Sequence, residues 1–435
     1  MKAGSFLNHD FKWSGFHRLT LALLAAAAPL FAEEPAVGRT FTLSEAQRIA
    51  LLNNPQLLSA EQDIVIAQQR AAEARFQFFP EIGLQSSASR YDARYPFALA
   101  PEFRSVLLQP SNHDGIYSGR AYLRQPVYEG GRTLNLLKLA QTNLKQAQAH
   151  YEAVKLDVNL DAQKAFHRLM LAQEVAAAVA DRREAAQRVL TRPLSGWEKV
   201  EAEALAAQLR ARSGTVGHEV EAARMSLLKE LNLELDTPVS VTGGLQTERV
   251  DIELDKAILW ATELRPELQA ETYRAQMDAI AVNLALGRRN PTLVMGADYE
   301  VTGQEFPLRQ NNWDMTIGLK IPFSYDFWTQ IKQKRAEQRQ GDIKRAELHD
   351  QVRLEVSRAF SDLQYWQKEW PTREEEYGRL KALTSAAEQA GGGASLAALR
   401  SQIGVLDAQE RWLTSVQEHI LARARLEHAV GRPLR

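Results

Sequence analysis

The sequence contains no cysteine among its 435 residues. Disulfide bonds, thiolate metal ligands and cysteine nucleophiles are therefore excluded, and so is a lipid anchor on an N-terminal cysteine. An excess of basic charge is also missing, because 53 Lys and Arg residues face 54 Asp and Glu residues, for a formal net charge of -1. Proteins that bind nucleic acid usually carry a basic excess. We therefore expect no nucleic-acid partner.

Long apolar runs are scarce. Near the N-terminus, several basic residues precede an apolar run over residues 19–30, and a small-residue stretch then ends at Ala32. This pattern predicts a signal peptide over 1–32, since about a dozen apolar residues are too few to span a membrane comfortably. No later stretch approaches the ~18 apolar residues of a spanning helix. If the mature chain crosses a membrane, it must do so as a closed β-barrel.

Catalytic patterns are lacking as well. The histidines beyond the signal segment fall in no ligand spacing, and Glu427-His428 is an adjacent pair that does not place two ligands on one helix face. We expect these histidines on helix surfaces. The three glycines at 391–393 follow a helix, which indicates a turn and not a phosphate loop. The sequence thus predicts no enzymatic activity, no cofactor and no metal.

The chain contains an internal repeat. Asn54-Pro55 recurs as Arg265-Pro266, and Pro80 recurs as Pro291, both at an offset of 211. Discrete offsets of this kind are what duplication followed by changes in loop length produces. A second offset, 196, relates the segments 125–127 and 321–323.

The two predicted copies cover residues 33–245 and 246–435. Each predicts a short helix, a second helix, two strands, a long helix and a returning helix. The segment 132–192 has no proline or glycine and carries apolar residues at heptad spacing, so it predicts a coiled-coil helix of roughly 90 Å. The two long helical hairpins are predicted at 131–233 and 327–430.

Four short segments alternate between apolar and polar residues, as strands with two different faces do. They are predicted near 82–94, 115–127, 292–302 and 312–322. Charged residues occupy one phase of the alternation, as in a water-filled barrel, although a soluble antiparallel sheet shows the same period. The candidate lumen residues are Arg120, Arg124, Asp298, Glu300, Asp314 and Lys320.

Four strands cannot close a transmembrane barrel, whose smallest known count is about eight. Two chains would supply eight strands, and a barrel of that size is filled by its own side chains. Three chains would supply twelve and leave an open pore. Strand arithmetic therefore predicts a homotrimer.

An ordered set of motifs resembles the TolC-type outer-membrane efflux protein family over essentially the whole mature chain. The matching segments are Thr42-Leu43-Ser44-Glu45-Ala46, Asn53-Asn54-Pro55, Pro80, Gln125-Pro126-Val127-Tyr128, Gly130-Gly131-Arg132 and Val430-Gly431-Arg432-Pro433-Leu434.

The resemblance implies a mostly α fold with a small β part. Long coiled-coil hairpins would form a periplasmic α-barrel, and four strands per chain would join a trimeric twelve-stranded transmembrane β-barrel in outer-membrane lipid. It further implies a periplasmic adaptor and an inner-membrane pump as partners, with the channel passively conducting what the pump delivers.

The sequence departs from the family at the periplasmic mouth. Family members often carry acidic residues just after the second hairpin turn, whereas residues 396–400 here include none. The first hairpin is acidic instead, so Glu198 and Glu201, opposed by Arg400, are the candidates for a charged aperture. The competing interpretation is a set of solvated charges at a helix end.

Two other functions stay open on the sequence. A conduit of type I protein secretion would share the same tube, because the pump and not the tube selects the cargo. A soluble periplasmic coiled-coil adaptor or scaffold would share the signal peptide and the heptads. An adaptor, however, would be expected to have one hairpin and separate β-rich domains.

Overall fold

The computed structural model describes residues 39–90, 115–245, 247–303, 305–391 and 395–434. The signal peptide predicted over 1–32 and the last four residues of the strand predicted over 82–94 lie outside these ranges. So do residues 392 and 393 of the predicted glycine turn. The prediction of a mostly helical chain with a small sheet part is confirmed.

The elements follow one order twice. The first series is β1 (Arg39–Phe41), α1 (Leu43–Asn53), α2 (Pro55–Phe76), β2 (Glu81–Arg90), β3 (Gly115–Glu129), α3 (Arg132–Leu190) and α4 (Gly196–Glu230). The second series is β4 (Val239–Val241), α5 (Leu254–Leu264), α6 (Pro266–Gly287), β5 (Thr292–Gly303), β6 (Gln310–Lys320), α7 (Phe327–Gly391) and α8 (Leu396–Val430). The division of the chain at residues 245 and 246 stays a prediction.

The repeated proline motif has a local cause. Asn54 and Arg265 each end one helix and precede the proline that begins the next, with backbone angles of φ -63°, ψ 123° and φ -65°, ψ 123°. A residue before proline avoids the helical region, so the chain breaks its helix there and restarts at once. Asn54 also caps α2 by accepting a hydrogen bond from the Gln56 amide at 2.9 Å.

The larger sheet contains four antiparallel strands in the order β2-β3-β5-β6. Strands β2 and β6 are its edges, and each is paired on one side only within the described part of the chain. Between Pro126 and Tyr128 the register of β3 against β5 shifts by one residue. This bulge bends β3 just before the chain turns into α3.

Two backbone turns join the sheet to the helices. Gly130 (φ 65°) and Gly131 (φ 81°) make the turn from β3 to α3 in left-handed conformations that favour glycine. This turn lies against Gly287 at the end of α6, where an added Cβ would lie 2.8 Å from the Gly130 carbonyl oxygen. The Asn290 side chain donates a hydrogen bond to the same carbonyl at 3.1 Å. The two turns are thus fixed against each other.

Three apolar clusters hold the helices together. One lies beneath α1 between α3 and α4, a second follows the hairpins toward their tips, and the third joins α5, α7 and α8. Their most buried large side chains include Phe166, Leu169 and Leu227 in the first, Leu209, Leu399 and Leu406 in the second, and Leu363 and Leu426 in the third.

Within the described ranges, no helix combines the length and the apolar character needed to cross a membrane.

The close approach of Gly130 and Gly287 generates a stability prediction. Gly287→Ala should lower the free energy of unfolding by about 1–3 kcal/mol, because the new Cβ overlaps a backbone oxygen that is itself held in place. Thermal unfolding followed by circular dichroism measures this. The matched control is Gly217→Ala inside α4, where an added Cβ meets open space. That change should stabilise by about 0.5–1 kcal/mol, and equal effects at both sites would contradict the packing argument.

Candidate functional site

The four-stranded sheet has two chemically different faces. Residues directly opposite each other in antiparallel strands project to the same side of the sheet. The register pairs Arg120 with Glu300, Arg124 with Gly296, and Asp298 with Asp314, while Lys320 pairs with Thr292. All six predicted lumen residues therefore share one face, which we call the polar face. That this face lines a lumen stays a prediction.

The opposite face, which we call the apolar face, is unusually exposed for such large side chains. Leu84 is 87% exposed, and Met315 and Ile317 are each 71% exposed. The register places these residues on the side away from Asp314 and Glu300. A bare apolar surface of this size marks a site of contact with protein or lipid.

The polar face carries specific contacts. The Arg120 guanidinium forms an ion pair with Asp298 across β3 and β5, with N–O distances of 2.7 and 2.8 Å. The Tyr122 ring lies across Gly83 on β2, and its hydroxyl donates to Glu81 at 3.3 Å. On this face Arg120 and Arg124 lie among the acids Glu81, Asp298, Glu300 and Asp314.

At the tip of the first hairpin the two acidic candidates have different surroundings. Glu198 closes a capping box, in which its carboxylate accepts hydrogen bonds from the Ser195 hydroxyl at 2.7 Å and the Ser195 amide at 3.2 Å. These bonds lower the pKa of Glu198 from its ordinary value. Glu201, one turn further, forms an ion pair with Arg400 of the second hairpin of the same chain.

The structure therefore brings two of the three predicted mouth residues, Glu201 and Arg400, into contact. The third, Glu198, caps the N-terminus of α4. The ion pair between Glu201 and Arg400 fixes α4 against α8 near the tip. The sequence did not predict a second set of ion pairs between α4 and α8, about three turns from Glu201. There Arg212 of α4 forms ion pairs with Asp407, at 2.5 Å, and with Glu410. Beside the capping box, Trp197 is 87% exposed.

The histidines correct one prediction. His167 is 7% exposed and His419 is fully buried, so these two do not lie on helix surfaces. The reason is that α3, which carries His167, packs against α2, α4, α6 and α8, and α8, which carries His419, packs against α3 and α7, so each of these two helices is buried on more than one side. Burial lowers the pKa of His167 to about 4 and keeps its ring neutral. His419 lies beside Trp370 and bonds the Thr247 hydroxyl.

His428 links three helices. Its Nε2 lies 2.7 Å from Asp157 of α3, and its Nδ1 lies 3.7 Å from Glu355 of α7. Glu355 in turn accepts a hydrogen bond from Arg265, the residue before Pro266, at 2.6 Å. Burial lowers the pKa of His428, but the bonds to Asp157 and Glu355 outweigh it and raise that pKa to about 9. The bond to His428, followed by Arg265, lowers the pKa of Glu355 to about 2.

Among the residues that the structure describes, no group of three or more His, Asp or Glu side chains has an arrangement that could hold a metal ion.

Several solved structures have the same fold. The outer membrane channel CmeC of Campylobacter jejuni superposes with a TM-score of 0.77 at 14% identity, covering 89% of this chain and 85% of that chain. VceC, an outer membrane protein of Vibrio cholerae, gives 0.71 at 17% identity over 90% and 97%. The open state of the MtrE outer membrane channel of Neisseria gonorrhoeae gives 0.73 at 15% identity over 90% and 89%. The fold is that of an outer-membrane channel.

The sequence model of the outer membrane efflux protein family matches residues 47–193, which include most of the first repeat. No curated protein matches by sequence. The resemblance to the TolC-type outer-membrane efflux proteins, predicted from the ordered motifs, is thereby confirmed.

The His428 cluster generates a pH prediction. Folding raises the pKa of His428 from 6.5 to about 9, so protonated His428 stabilises the folded state. This stabilisation is complete below pH 6.5 and is lost as the pH rises through 9. Folding lowers the pKa of Glu355 from 4.5 to about 2, so ionised Glu355 also stabilises the folded state. This stabilisation is present above pH 4.5 and is lost as the pH falls through 2. Thermal stability should therefore be greatest from about pH 4.5 to 6.5 with respect to this cluster.

His428→Gln should flatten the decline in melting temperature between pH 6.5 and 9, measured by differential scanning fluorimetry. His150→Gln on the exposed surface of α3 is the control and should leave the decline unchanged. An unaltered pH profile in His428→Gln would show that the cluster does not couple protonation to folding.

Proposed function

We propose that this chain is one subunit of a homotrimeric outer-membrane channel in a tripartite efflux system, and that it passively conducts substrates delivered by an inner-membrane pump through a periplasmic adaptor. The observation that carries the proposal is the four-stranded sheet with one polar face, one exposed apolar face and two open edges. Unpaired backbone groups are not tolerated in lipid, so such a sheet needs its edges closed by further strands.

The repeat indicates how copies of the chain join. Within the chain, α3 packs against α2 of its own repeat and against α6 and α8 of the other repeat. Because α7 corresponds to α3, and α2 and α4 correspond to α6 and α8, the same contacts carried forward join α7 of one copy to α2 and α4 of the next. This is a head-to-tail interface, which forms a ring when the rotation between copies closes.

Exposure along α2 supports this interface. Helix α6 is flanked by both α3 and α7, whereas α2 has no extensive contact with α7 in the described part of the chain. One face of α2 is accordingly exposed where the matching face of α6 is half-buried. The exposed residues are Gln62, Ile66, Gln69, Arg70 and Glu73, and their half-buried equivalents are Tyr273, Met277, Ile280, Ala281 and Leu284.

The long helix α7 has the complementary unpartnered surface. Ile343, Leu354 and Tyr365 are 69%, 50% and 53% exposed and recur every eleven residues, which is close to three full turns. A single stripe of this kind suits contact with a neighbouring helix. Three copies give a ring of six repeats and twelve strands, the smallest count expected to leave an open pore.

Lipid, adaptor and pump complete the proposal. The apolar face of the sheet would contact outer-membrane lipid, and the hairpins would extend into the periplasm. The exposed Trp197 at the hairpin tip is a suitable anchor for the adaptor, because aromatic side chains often dominate the energy of protein interfaces. The likeness to channel folds over about nine-tenths of the chain supports this assignment over a soluble adaptor or scaffold. We propose no enzymatic activity and no resident cofactor.

The assignment of the two faces predicts a labelling pattern. Because the chain lacks cysteine, single cysteines give an unambiguous signal. In outer-membrane vesicles, Glu300→Cys and Asp314→Cys should react with a charged, water-soluble maleimide. Met315→Cys and Ile317→Cys should react poorly, because lipid covers them. Reaction only at the two apolar-face positions would reverse the assignment of the faces.

The head-to-tail ring predicts a specific cross-link. Leu136 of α3 and Leu284 of α6 line one cavity, and their repeat equivalents are Lys332 at an offset of 196 and Glu73 at an offset of 211. Lys332 and Glu73 have opposite charges, which suits a contact between copies. The double variant Glu73→Cys/Lys332→Cys, treated with a flexible bis-maleimide, should give covalent dimers and trimers on a denaturing gel.

Each single cysteine variant is the control and should give no trimer. Mass measurement of the detergent-solubilised parent should give three chains per particle. A monomeric particle without cross-linked species would contradict the ring.

The mouth residues predict opposite changes in ion selectivity. Arg400→Gln leaves Glu201 unpaired and should increase cation selectivity, whereas Glu201→Gln leaves Arg400 unpaired and should decrease it. Reversal potentials in a KCl gradient across a planar bilayer measure both. The double variant should return close to the parent. If none of the three changes selectivity, the charges belong to a solvated helix end and do not form an aperture.

A further inference from the structure

A cavity of about 360 Å³ lies where the sheet meets the helices. Three segments form it: the turn from β3 to α3, the turn from α6 to β5, and the connection from β6 to α7. Four cationic side chains line it, together with two acids and an apolar wall. The cations are Arg132, Arg288, Arg289 and Lys320, the acids are Glu129 and Asp326, and the wall includes Leu284, Pro322 and Phe327.

The frame of this cavity is rigid. The turn that precedes Arg132 and the turn that contains Arg288 and Arg289 are the two that pack backbone to backbone at Gly130 and Gly287. Lys320 is the last residue of β6 and is held by its pairing with Thr292. The four cations therefore start from fixed backbone positions, which lowers the entropic cost of bringing them around one ligand.

The two acids of the cavity form hydrogen bonds with neutral side chains. Glu129 accepts a hydrogen bond from the Thr133 hydroxyl at 2.6 Å. Asp326 accepts one from the Gln330 amide at 2.7 Å and another from the Ser324 hydroxyl. Neither carboxylate lies within ion-pair distance of a cavity cation.

Within the described ranges, the four cations of the cavity lack ionic partners. Arg288 donates a hydrogen bond to Gln330, and none of the four forms an ion pair with a carboxylate among the residues that the structure describes. Four cations and two acids give the cavity a local charge of about +2, although the whole chain is close to neutral. Like charges held this close favour an anion between them.

We propose that this cavity binds an oxyanion group, a phosphate or a carboxylate, carried by an amphiphilic molecule. Guanidinium groups bind such oxyanions through paired, charge-assisted hydrogen bonds. Leu284, Pro322 and Phe327 offer apolar contact to the body of the same molecule. The binding group is common to two sources, a soluble anion in the channel and the headgroup of an anionic phospholipid. The site itself uses residues of a single chain and does not depend on the proposed trimer, whereas its two ligand sources rest on the proposed location in the outer membrane.

The test measures binding of inorganic tripolyphosphate to the purified full chain in an uncharged detergent, by isothermal titration calorimetry at low ionic strength. Arg132→Gln/Arg289→Gln should weaken binding about tenfold or more, because two charge-assisted contacts are lost. Arg339→Gln/Arg353→Gln on the exposed surface of α7 removes the same charge away from the cavity and should leave the affinity close to the parent's. Parent-like binding in the first variant, or an equal loss in the control, would overturn the proposal.

The source of the anion is separated by a second measurement. The parent and Arg132→Gln/Arg289→Gln are placed in nanodiscs of phosphatidylglycerol or phosphatidylcholine and examined by native mass spectrometry. Retention of phosphatidylglycerol by the parent alone, with release by tripolyphosphate, supports the headgroup. Tripolyphosphate binding without retained phosphatidylglycerol supports a soluble anion. If neither binds the parent more tightly than the variant, the cavity is not an anion site.

Discussion

The packing of α6 between α3 and α7 is the contact on which the rest of the molecule depends. A helix flanked on both sides buries two stripes, and α6 is the one that joins the two repeats in this way. The duplicated helix α2 has the same backbone setting, but within the described part of the chain it packs extensively against α3 alone. The chain therefore has two helix surfaces without a packing partner among the described residues, one on α2 and one on α7. In the proposed ring these two surfaces are complementary, and each contacts the other surface on a neighbouring copy of the chain.

Period-two patterning was sufficient to group the charged strand residues. Arg120 and Arg124 share one side of β3, Asp298 and Glu300 one side of β5, and Asp314 and Lys320 one side of β6, because alternate residues of a strand project to the same side. The register of the strands then places all three pairs on one face of the sheet. The long hairpins were predictable for a similar reason, since the absence of proline and glycine from 132–192 and the heptad spacing are both local properties. Local periodicity was therefore sufficient to predict the helices and strands and the polar or apolar character of each strand face.

Pairings between distant residues were not predictable, because they depend on register and on which helices meet. The contact of Arg120 with Asp298 needs the alignment of β3 with β5, and that of Glu201 with Arg400 joins residues 199 positions apart. The burial of His419 likewise comes from tertiary packing. By contrast, the role of Glu198 had a local signal, because Ser195 three residues earlier makes the S-x-x-E capping pattern.

The open edges of β2 and β6 have a genetic consequence. In the proposed ring each edge is closed by the opposite edge of another copy, so a subunit whose β6 no longer pairs still offers an intact β2 to its neighbours. Such a subunit pairs normally with one neighbour through β2, but the ring cannot close at its altered β6. When altered and unaltered genes are expressed together, one altered subunit is enough to prevent closure of the ring that contains it. Mutations at this edge should thus behave as dominant, whereas mutations that prevent the chain from folding at all should be recessive.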